Sequence, residues 1–267
     1  MKDNQKIIIT VTTANSLVYP ELKNWANKTE QLVDDVVECY EAGASVAHVH
    51  LPRGEEVETI KKIRERCDII IQAGMSRETI SQRKGDFEAK PDMMSVMLNH
   101  HSEHYDKTII EVLHPIKELE EYCMKLKEAN IKPEWELWHT GSSWNLDYLI
   151  KSGLLEWSKP HILTLLFNWP GGLWSPPNYQ EYMYRKKFIP TDSVHTVSVL
   201  GEDQMKLLVF VLTHGGNIRV GTEDYPFIKK GEPARNNAEI VKNYVDICKH
   251  VRREVADPLK ARKILGL

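Results

Sequence analysis

The amino-acid sequence predicts an α/β protein whose strands close into a (β/α)8 TIM barrel. Short apolar runs alternate with longer amphipathic stretches from one end of the chain to the other, a pattern typical of βα units and a parallel sheet. The chain has 267 residues, and such barrels commonly form from about 250 residues as one domain. No two runs are joined by the Asn-Gly turn that marks a tight hairpin, which argues against an antiparallel sandwich. We therefore expect residues 1–267 to form one barrel domain.

Eight segments have the β-branched and apolar composition of buried strands. In chain order they are Lys6–Thr12, Ala44–His50, Asp68–Ala73, Met93–Met97, Glu134–His139, His161–Phe167, Val194–Val199 and Asn217–Val220. The predicted helices between them are Thr29–Glu41, Pro115–Glu128, Leu146–Lys151, Glu202–Thr213 and Asn236–Val251. Thr29 is a candidate N-cap and Gly43 a helix stop. Eight strands with intervening helices favour a closed barrel over an open doubly wound sheet.

The composition argues against several classes of partner. The 35 Lys and Arg residues nearly balance the 38 Asp and Glu residues, and no basic run forms a track for a phosphate backbone, so we expect no nucleic-acid partner. No apolar stretch approaches the roughly 18 residues of a membrane span, and the first apolar run is too short for a signal segment. We therefore expect a cytoplasmic protein with no membrane partner. The four cysteines form no Cys-X-X-Cys pair, so we expect buried free thiols.

Two histidines end the second predicted strand. His48 and His50 flank Val49, and because strand side chains alternate between faces, both imidazoles point the same way. Two imidazoles at this spacing suit one metal ion, whereas a His-X-His pair by itself is equally typical of surface histidines. Catalytic groups in a barrel gather at the carboxyl ends of the strands, so a third ligand at that rim would favour the metal.

The last predicted strand supplies candidate carboxylates. It ends in the segment GGNIRVGTED, which places Glu223 and Asp224 side by side at the same rim, with Arg219 close by. Like charges raise each other's pKa unless a cation separates them, so one acid could bind a metal held by His48 and His50 while the other stays free as a base. Two histidines and one carboxylate leave a coordination position open, as a catalytic zinc requires, and the same donors also suit iron or manganese. The alternative is that the two acids cap the following helix.

Three other features could contribute to a site. A predicted polar loop after the fourth strand carries a second group of candidate ligands or substrate contacts, His100, His101, Glu103 and His104. The segment Asn168–Asn178, rich in proline and glycine, is predicted as a long functional loop. Three tryptophans lie near the predicted rim, Trp138, Trp169 and Trp174. Such residues are typical either of a pocket for an apolar substrate or of core and interface packing.

The chain resembles the β-keto acid cleavage enzyme family over most of its length. The segments that carry the resemblance are, in order, IIITVTTAN, EAGASVAHVH, PDMMSV, PEWELWHTG, NWPGG and GGNIRVGTED. Among these matches, the combination of His-X-His on the second strand with Arg-X-Gly-X-Glu-Asp after the eighth strand is specific to the family. The resemblance implies a zinc-dependent (β/α)8 barrel, usually a homotetramer, that condenses a β-keto acid with acetyl-CoA and releases acetoacetate and a new acyl-CoA.

The resemblance also assigns roles to residues of this chain. It implies His48, His50 and Glu223 as the zinc ligands. It implies Asp224 as the catalytic acid or base and Arg219 as the arginine that orients it.

Further matched positions concern the substrate. Glu136 matches a strand glutamate that supports the catalytic network, and Ser95 falls where the family binds substrate with a threonine. The family's Ser-Thr-Gly-Gly run after the third strand is replaced by Ala-Gly-Met-Ser, so Ser76 is the candidate replacement for a missing hydroxyl. Ser95 and backbone amides near Gly74 are expected to stabilise the oxyanions that form during the reaction.

Two departures from the family pattern bear on the substrates. Where the member that acts on an amino keto acid has a glutamate for the ammonium group, this chain has Asn15 or Ser16, which disfavours an amino-bearing substrate. The loop after the second histidine is shortened, which displaces a usual arginine to Arg53 and alters the expected mode of CoA binding.

Two alternative functions remain open. A metal-dependent hydrolase could use the same barrel with His139 and His161 as further ligands, but such enzymes usually carry His-X-His on the first strand, and His161 begins its strand at the opposite rim. A barrel that binds a ligand without turnover is the other alternative, indicated by the altered run after the third strand. The joint presence of candidate ligands, acid and arginine favours the cleavage enzyme.

Overall fold

Eight parallel strands form a closed barrel in the computed structural model, which describes residues 6–20, 22, 28–105, 108–112, 114–172 and 174–267. The barrel strands are β1 (Ile9–Thr12), β2 (Val46–Val49), β3 (Ile70–Ala73), β4 (Met93–Met97), β7 (Lys132–Leu137), β8 (His161–Phe167), β9 (Ser193–Val199) and β10 (Asn217–Gly221). Each pairs in parallel with the next, and β10 pairs with β1 to close the barrel. All eight overlap the predicted segments, so the predicted (β/α)8 barrel is confirmed.

Helices connect the barrel strands and bury one face each. They are α1 (Thr29–Ala42), α2 (Glu56–Arg66), α3 (Lys84–Ala89), α4 (Ile116–Ala129), α5 (Thr140–Lys151), α6 (Tyr179–Lys186), α7 (Gln204–Thr213), α8 (Asn237–His250) and α9 (Pro258–Leu265). In α1 the apolar residues Leu32, Val36 and Cys39 recur at helical spacing and are buried. Gly43 then ends the helix with a φ of 112°, the left-handed conformation that glycine adopts readily.

Several helix predictions need correction. Lys28, not Thr29, is the N-cap of α1, and the Thr29 hydroxyl instead bonds to the Glu55 side chain. Helix α5 begins at Thr140, well before the predicted start, because the His139 ring accepts a hydrogen bond from the Gly141 amide at 2.8 Å and caps it. Helices α2, α3, α6 and α9 were not among the predicted helices, and all four are short or mostly polar.

The polar segment after β4 is an antiparallel hairpin, and the prediction of a loop there is wrong. Its strands are β5 (His101–Tyr105) and β6 (Thr108–Val112). His101, Glu103 and Tyr105 point to the buried side, whereas His104 is exposed. A second small hairpin consists of β11 (Phe227–Lys229) and β12 (Glu232–Pro233).

The barrel interior changes from apolar to polar along the strands. At the amino ends, an apolar cluster closes the barrel with Ile8, Val46, Ile70, Met93, Ile162, Ala256, Ala261 and Leu265. Because strand side chains alternate, the next inward positions after Val46, Ile70 and Ile162 are His48, Gln72 and Thr164. Polar side chains are thus concentrated toward the carboxyl ends of the strands. All four cysteines are buried and free, as predicted.

A fully buried arginine holds two barrel strands and the start of a loop together. The Arg83 guanidinium donates to the carbonyl oxygens of Ala73, Gly74 and Ser95, at the ends of β3 and in β4, and its Nε donates to Asp86 at 3.0 Å. Arg83 and Asp86 are both almost inaccessible to solvent.

We expect Arg83→Met to lower the free energy of unfolding by about 3–5 kcal/mol, because three carbonyl oxygens lose their buried donor and Asp86 keeps only the longer contact of Arg53, at 3.4 Å. Urea denaturation followed by circular dichroism measures this loss. Arg235→Met is the control, because Arg235, which precedes α8, forms an exposed ion pair with Glu239 and its loss should change stability little. Equal stabilities of the two variants would contradict the structural role of Arg83.

Candidate active site

A cavity of about 290 Å³ lies at the carboxyl ends of the barrel strands. Side chains from β2, β7 and β10, from the loops after β1 and β3 and from the β5–β6 hairpin line it. Polar lining residues that the sequence predicted are Asn15, His48, His50, Ser76, Glu136, Arg219 and Glu223. The structure therefore brings most of the predicted site residues to one place.

His48, His50 and Glu223 could hold one metal ion. Their candidate ligand atoms all lie within 4.8 Å of one another. Glu223 lies 3.6 Å from His50 Nε2 through Oε1 and 3.9 Å from His48 Nε2 through Oε2. Two ligands that are each about 2 Å from an ion can be at most about 4 Å apart, and both distances meet that limit.

The absence of a side chain at Gly74 leaves room for the imidazoles of His48 and His50. A Cβ on Gly74 would lie 2.4 Å from His50 Cδ2 and 2.7 Å from His48 Nε2. Only glycine therefore fits beneath the two rings. The Gly74 amide itself donates to the Val49 carbonyl at 2.8 Å, so the oxyanion contact expected from backbone amides near Gly74 stays a prediction for the amides beside it.

The electrostatics favour the metal-binding forms of all three side chains. Burial, together with Arg219, lowers the pKa of His48 to about 3, and burial also lowers the pKa of His50. Burial opposes ionisation of Glu223, but Arg219 and the two histidines outweigh it and lower the pKa of Glu223 to about 2. At neutral pH the site therefore presents two neutral imidazoles and one carboxylate, the forms that bind a cation.

Arg219 joins the candidate ligand to the neighbouring acid. Its Nη2 donates to Glu223 Oε2 at 3.0 Å and to Asp224 Oδ1 at 2.7 Å, and its Nε donates to Asp224 Oδ2 at 3.1 Å. Asp224 is fully buried, also accepts from Ser198 Oγ at 3.0 Å, and does not line the cavity. Burial raises the pKa of Asp224 against the opposing effect of Arg219. The side chain predicted as the base thus lies behind the arginine predicted to orient it.

Glu136 lines the cavity directly. Its Oε2 accepts from Ser76 Oγ at 2.6 Å and from Trp138 Nε1 at 3.2 Å. Burial raises the pKa of Glu136. This carboxyl group is therefore placed to exchange a proton with a bound molecule, which is more than the supporting position expected from the sequence.

Two predicted substrate contacts lie elsewhere. The Ser95 hydroxyl is fully buried and donates to the Ala73 carbonyl at 3.3 Å. Ser16 Oγ accepts from the amides of Val18 and Tyr19 in a local turn. Neither residue lines the cavity, whereas Asn15 does.

The β5–β6 hairpin contributes a carboxylate to the cavity. Glu103 is 2 % exposed and accepts from Tyr105 Oη at 2.8 Å, with His101 Nε2 at 3.1 Å. The Arg77 guanidinium, which also lines the cavity, lies 3.9 Å from Glu103. Glu103 belongs to the cluster predicted as possible ligands, but among the described residues the only group of three or more such side chains close enough to hold an ion is His48, His50 and Glu223.

Aromatic residues form another wall of the cavity. The rings of Trp138 and Trp169 meet edge to face with centroids 5.1 Å apart, and both residues line the cavity. Trp169 lies in the predicted loop Asn168–Asn178, of which residue 173 is outside the described residues. Trp174 is exposed and does not line the cavity. Arg53 forms ion pairs with acidic residues of the α2 and α3 region rather than facing the cavity.

The fold and the site together define a (β/α)8-barrel protein with a polar cavity and three side chains able to hold a metal ion. The sequence model of the beta-keto acid cleavage enzyme family matches residues 6–267, and the chain belongs to that family. The family expected from the sequence is thus confirmed. Within the described residues, no helix is long and apolar enough to cross a membrane.

Similar proteins span nearly the whole chain. It is 30% identical to the 3-keto-5-aminohexanoate cleavage enzyme of Acetoanaerobium sticklandii, over 98% of this chain and 99% of that enzyme. It is 23% identical to the 3,5-dioxohexanoate:acetyl-CoA acetone transferase of Paraburkholderia graminis, over 100% and 97% of the two chains. The apo structure of ObcA superposes with a TM-score of 0.74 at 14% identity, over 90% of this chain and 65% of the ObcA chain. The likeness to ObcA shows a shared fold.

Proposed function

We propose that this protein is a metal-dependent β-keto acid cleavage enzyme that uses acetyl-CoA and forms acetoacetate and a new acyl-CoA. Family membership and relatives named as acetyl-CoA-dependent transferases support the reaction class. The observation that carries the proposal is the group of His48, His50 and Glu223 in one cavity with Arg219 and Glu136. In the net reaction the keto acid loses the bond between its α-carbon and its keto carbon. To reach that point the α-carbon first loses a proton and bonds to the acetyl carbon, as the bond between the acetyl carbon and the CoA sulfur breaks. The CoA sulfur then bonds to the keto carbon, which leaves as the new acyl-CoA when its bond to the α-carbon breaks, and a proton returns to the α-carbon of acetoacetate.

The metal that fits this site is zinc or a similar divalent ion. Two histidines and one glutamate leave a position open for substrate, and the same donors also suit iron or manganese. When bound, such an ion supplies a Lewis acid that polarises the oxygens of the keto acid.

Two carboxyl groups are candidates for the proton transfer. We propose Asp224 as the base that takes the α-proton of the keto acid, with Arg219 orienting it through two hydrogen bonds. Because Arg219 separates Asp224 from the cavity, the proton can reach Asp224 only when Arg219 shifts. Glu136 is the second candidate, since it already lines the cavity.

The cavity also bears on the substrate's side chain. An amino-bearing substrate was predicted to be disfavoured because Asn15 or Ser16 takes the place of a glutamate near β1. Glu103 offers the cavity a carboxylate from a different element, beside Arg77, so the test below includes a keto acid with a cationic side chain. The aromatic wall of Trp138 and Trp169 favours a substrate whose side chain has an apolar portion next to Glu103 and Arg77.

The test is to incubate the purified protein with acetyl-CoA and β-keto acids whose side chains are cationic, neutral, apolar or anionic. We expect acetoacetate from at least one of them, and only when acetyl-CoA is present. Product without acetyl-CoA would favour the hydrolase, and no turnover across the panel would favour a ligand-binding barrel. His139 caps α5 and His161 begins β8, which gives the hydrolase no further ligand in the cavity.

Two further proposals rest on the resemblance and the sequence. By resemblance we propose a homo-oligomer, and specifically a tetramer. The cytoplasmic location expected from the sequence is the second proposal.

A further inference from the structure

A chain of hydrogen bonds runs from the candidate metal ligand His48 across the barrel interior. His48 Nδ1 lies 3.1 Å from Gln72 Oε1, and Gln72 Nε2 lies 2.9 Å from Glu134 Oε2. The three residues come from β2, β3 and β7 and are 2–4 % exposed. His48 and Gln72 are direct partners in the register of β2 and β3, so the strand pairing itself holds the first two side chains together.

The order of donors and acceptors in this chain fixes the hydrogen on the His48 ring. A side-chain amide has one end that only donates and one that only accepts. The donating end of Gln72 faces Glu134, so its accepting oxygen faces His48 Nδ1. A neutral imidazole bonded in this way carries its hydrogen on Nδ1. Its Nε2, the atom that lies 3.9 Å from Glu223, then keeps the lone pair that a metal needs.

Distance and burial leave Gln72 as the hydrogen-bond partner of the His48 ring, because Glu223 lies 3.9 Å from Nε2, beyond hydrogen-bond distance, whereas Gln72 lies 3.1 Å from Nδ1. With 2 % exposure, His48 has almost no contact with solvent that could favour the other tautomer, whereas the side chain of His50 is 32 % exposed. The bond from Gln72 is therefore the local interaction that orients the His48 ring.

Packing alone does not explain why Gln72 and Glu134 are polar. The inward positions that precede Gln72 and His48 on their strands are the apolar residues Ile70 and Val46. An amide and a carboxyl group in such an interior cost free energy unless they are hydrogen-bonded, and a methionine would fill the volume of Gln72 without that cost.

We propose that Gln72 and Glu134 are positioning residues that set the tautomer and the ring orientation of His48 for metal binding. The inference rests on the metal centre of the proposed function and adds two residues that act through a ligand rather than on the substrate. Partners of this kind typically change metal affinity 10- to 100-fold when they are removed.

The experiment measures the tautomer and the metal affinity separately. Nitrogen NMR of the metal-free protein reports which ring nitrogen of His48 carries the hydrogen, with His48→Gln as the assignment standard. Competition with a chromophoric chelator gives the dissociation constant for zinc. We expect wild-type His48 to carry its hydrogen on Nδ1, Gln72→Met to populate both tautomers, and zinc to bind to Gln72→Met roughly 10- to 100-fold more weakly.

An exchange of the two polar groups distinguishes positioning from packing. In the double variant Gln72→Glu with Glu134→Gln, the new carboxylate still accepts from His48 Nδ1 and also accepts from the new amide. We expect this variant to regain the Nδ1 tautomer and most of the zinc affinity. Thr196→Val, which removes a buried hydroxyl of β9, is the control and should leave both measurements unchanged.

Three outcomes would overturn the proposal. They are a wild-type His48 with its hydrogen on Nε2, a Gln72→Met variant with unchanged zinc affinity, and an exchange variant no better than Gln72→Met. If the wild type binds no zinc, the proposed metal centre fails, and the nitrogen spectrum still decides whether Gln72 fixes the ring of His48.

Discussion

Asp224→Asn is expected to keep the fold and the metal content and to lower turnover about 100- to 10,000-fold, the usual contribution of a general base. Asparagine has nearly the same volume, keeps an oxygen for Arg219 Nη2 and can donate to the Ser198 hydroxyl, but it loses the bond from Arg219 Nε and cannot accept the substrate's proton. The measurements are kcat for acetoacetate formation and the zinc content of the same preparation. Ser198→Ala is the matched control, because it removes one hydrogen bond to Asp224 and leaves the carboxylate in place.

The position of Asp224 behind Arg219 makes a companion variant necessary. Glu136→Gln alters the carboxyl group that lines the cavity and has a pKa raised by burial. Near-normal turnover of Asp224→Asn together with a large loss in Glu136→Gln would reassign the base to Glu136. Arg219→Lys should give an intermediate loss, because a point charge cannot reproduce the planar fork that bonds to both oxygens of Asp224.

The barrel was predictable because its signal is local. Each buried strand is a short apolar run between polar segments, and His48 and His50 follow from the alternation of strand side chains. The meeting of these histidines with Glu223 followed from a general rule, that the carboxyl ends of all strands share one rim.

Other parts of the site depend on contacts that sequence spacing does not encode. Adjacency gave no indication that Glu223 would line the cavity while Asp224 lay behind Arg219. Glu103 reaches the cavity because a hairpin follows β4. Burial alternates along the first strand of that hairpin, but its residues are mostly polar, so the sequence shows no apolar alternation that would predict a strand.

The role proposed for Gln72, inside the barrel, could not be predicted from the sequence either. Its segment was predicted as a strand, and a single glutamine there gives no sign of a role. Its importance follows from two partners that are distant in sequence, His48 and Glu134, and only the closed barrel brings them together.

Metal content is the second measurement with a large expected effect. The purified wild type should contain about one zinc or similar ion per chain, because two imidazoles and a carboxylate converge in a partly buried site and leave a coordination position open. We expect His48→Ala and Glu223→Gln each to lower zinc affinity by more than the roughly 10- to 100-fold that is typical of removing a residue behind a ligand. Elemental analysis and chelator competition measure both quantities.

The case of Glu223→Gln is the more specific of the two. A neutral amide is a weaker ligand than a carboxylate. Because Arg219 and Thr12 both donate to Oε2, the amide would keep its oxygen there and turn its NH2 group, which cannot bind a cation, to the Oε1 position 3.6 Å from His50 Nε2. Glu103→Gln is the matched control, since Glu103 is another buried carboxylate that lines the same cavity but lies outside the ligand group. It should keep the zinc content of the wild type. If Glu223→Gln retained full zinc content, or if Glu103→Gln lost as much, Glu223 would not be a ligand, and its carboxylate would serve mainly as a counter-charge for Arg219.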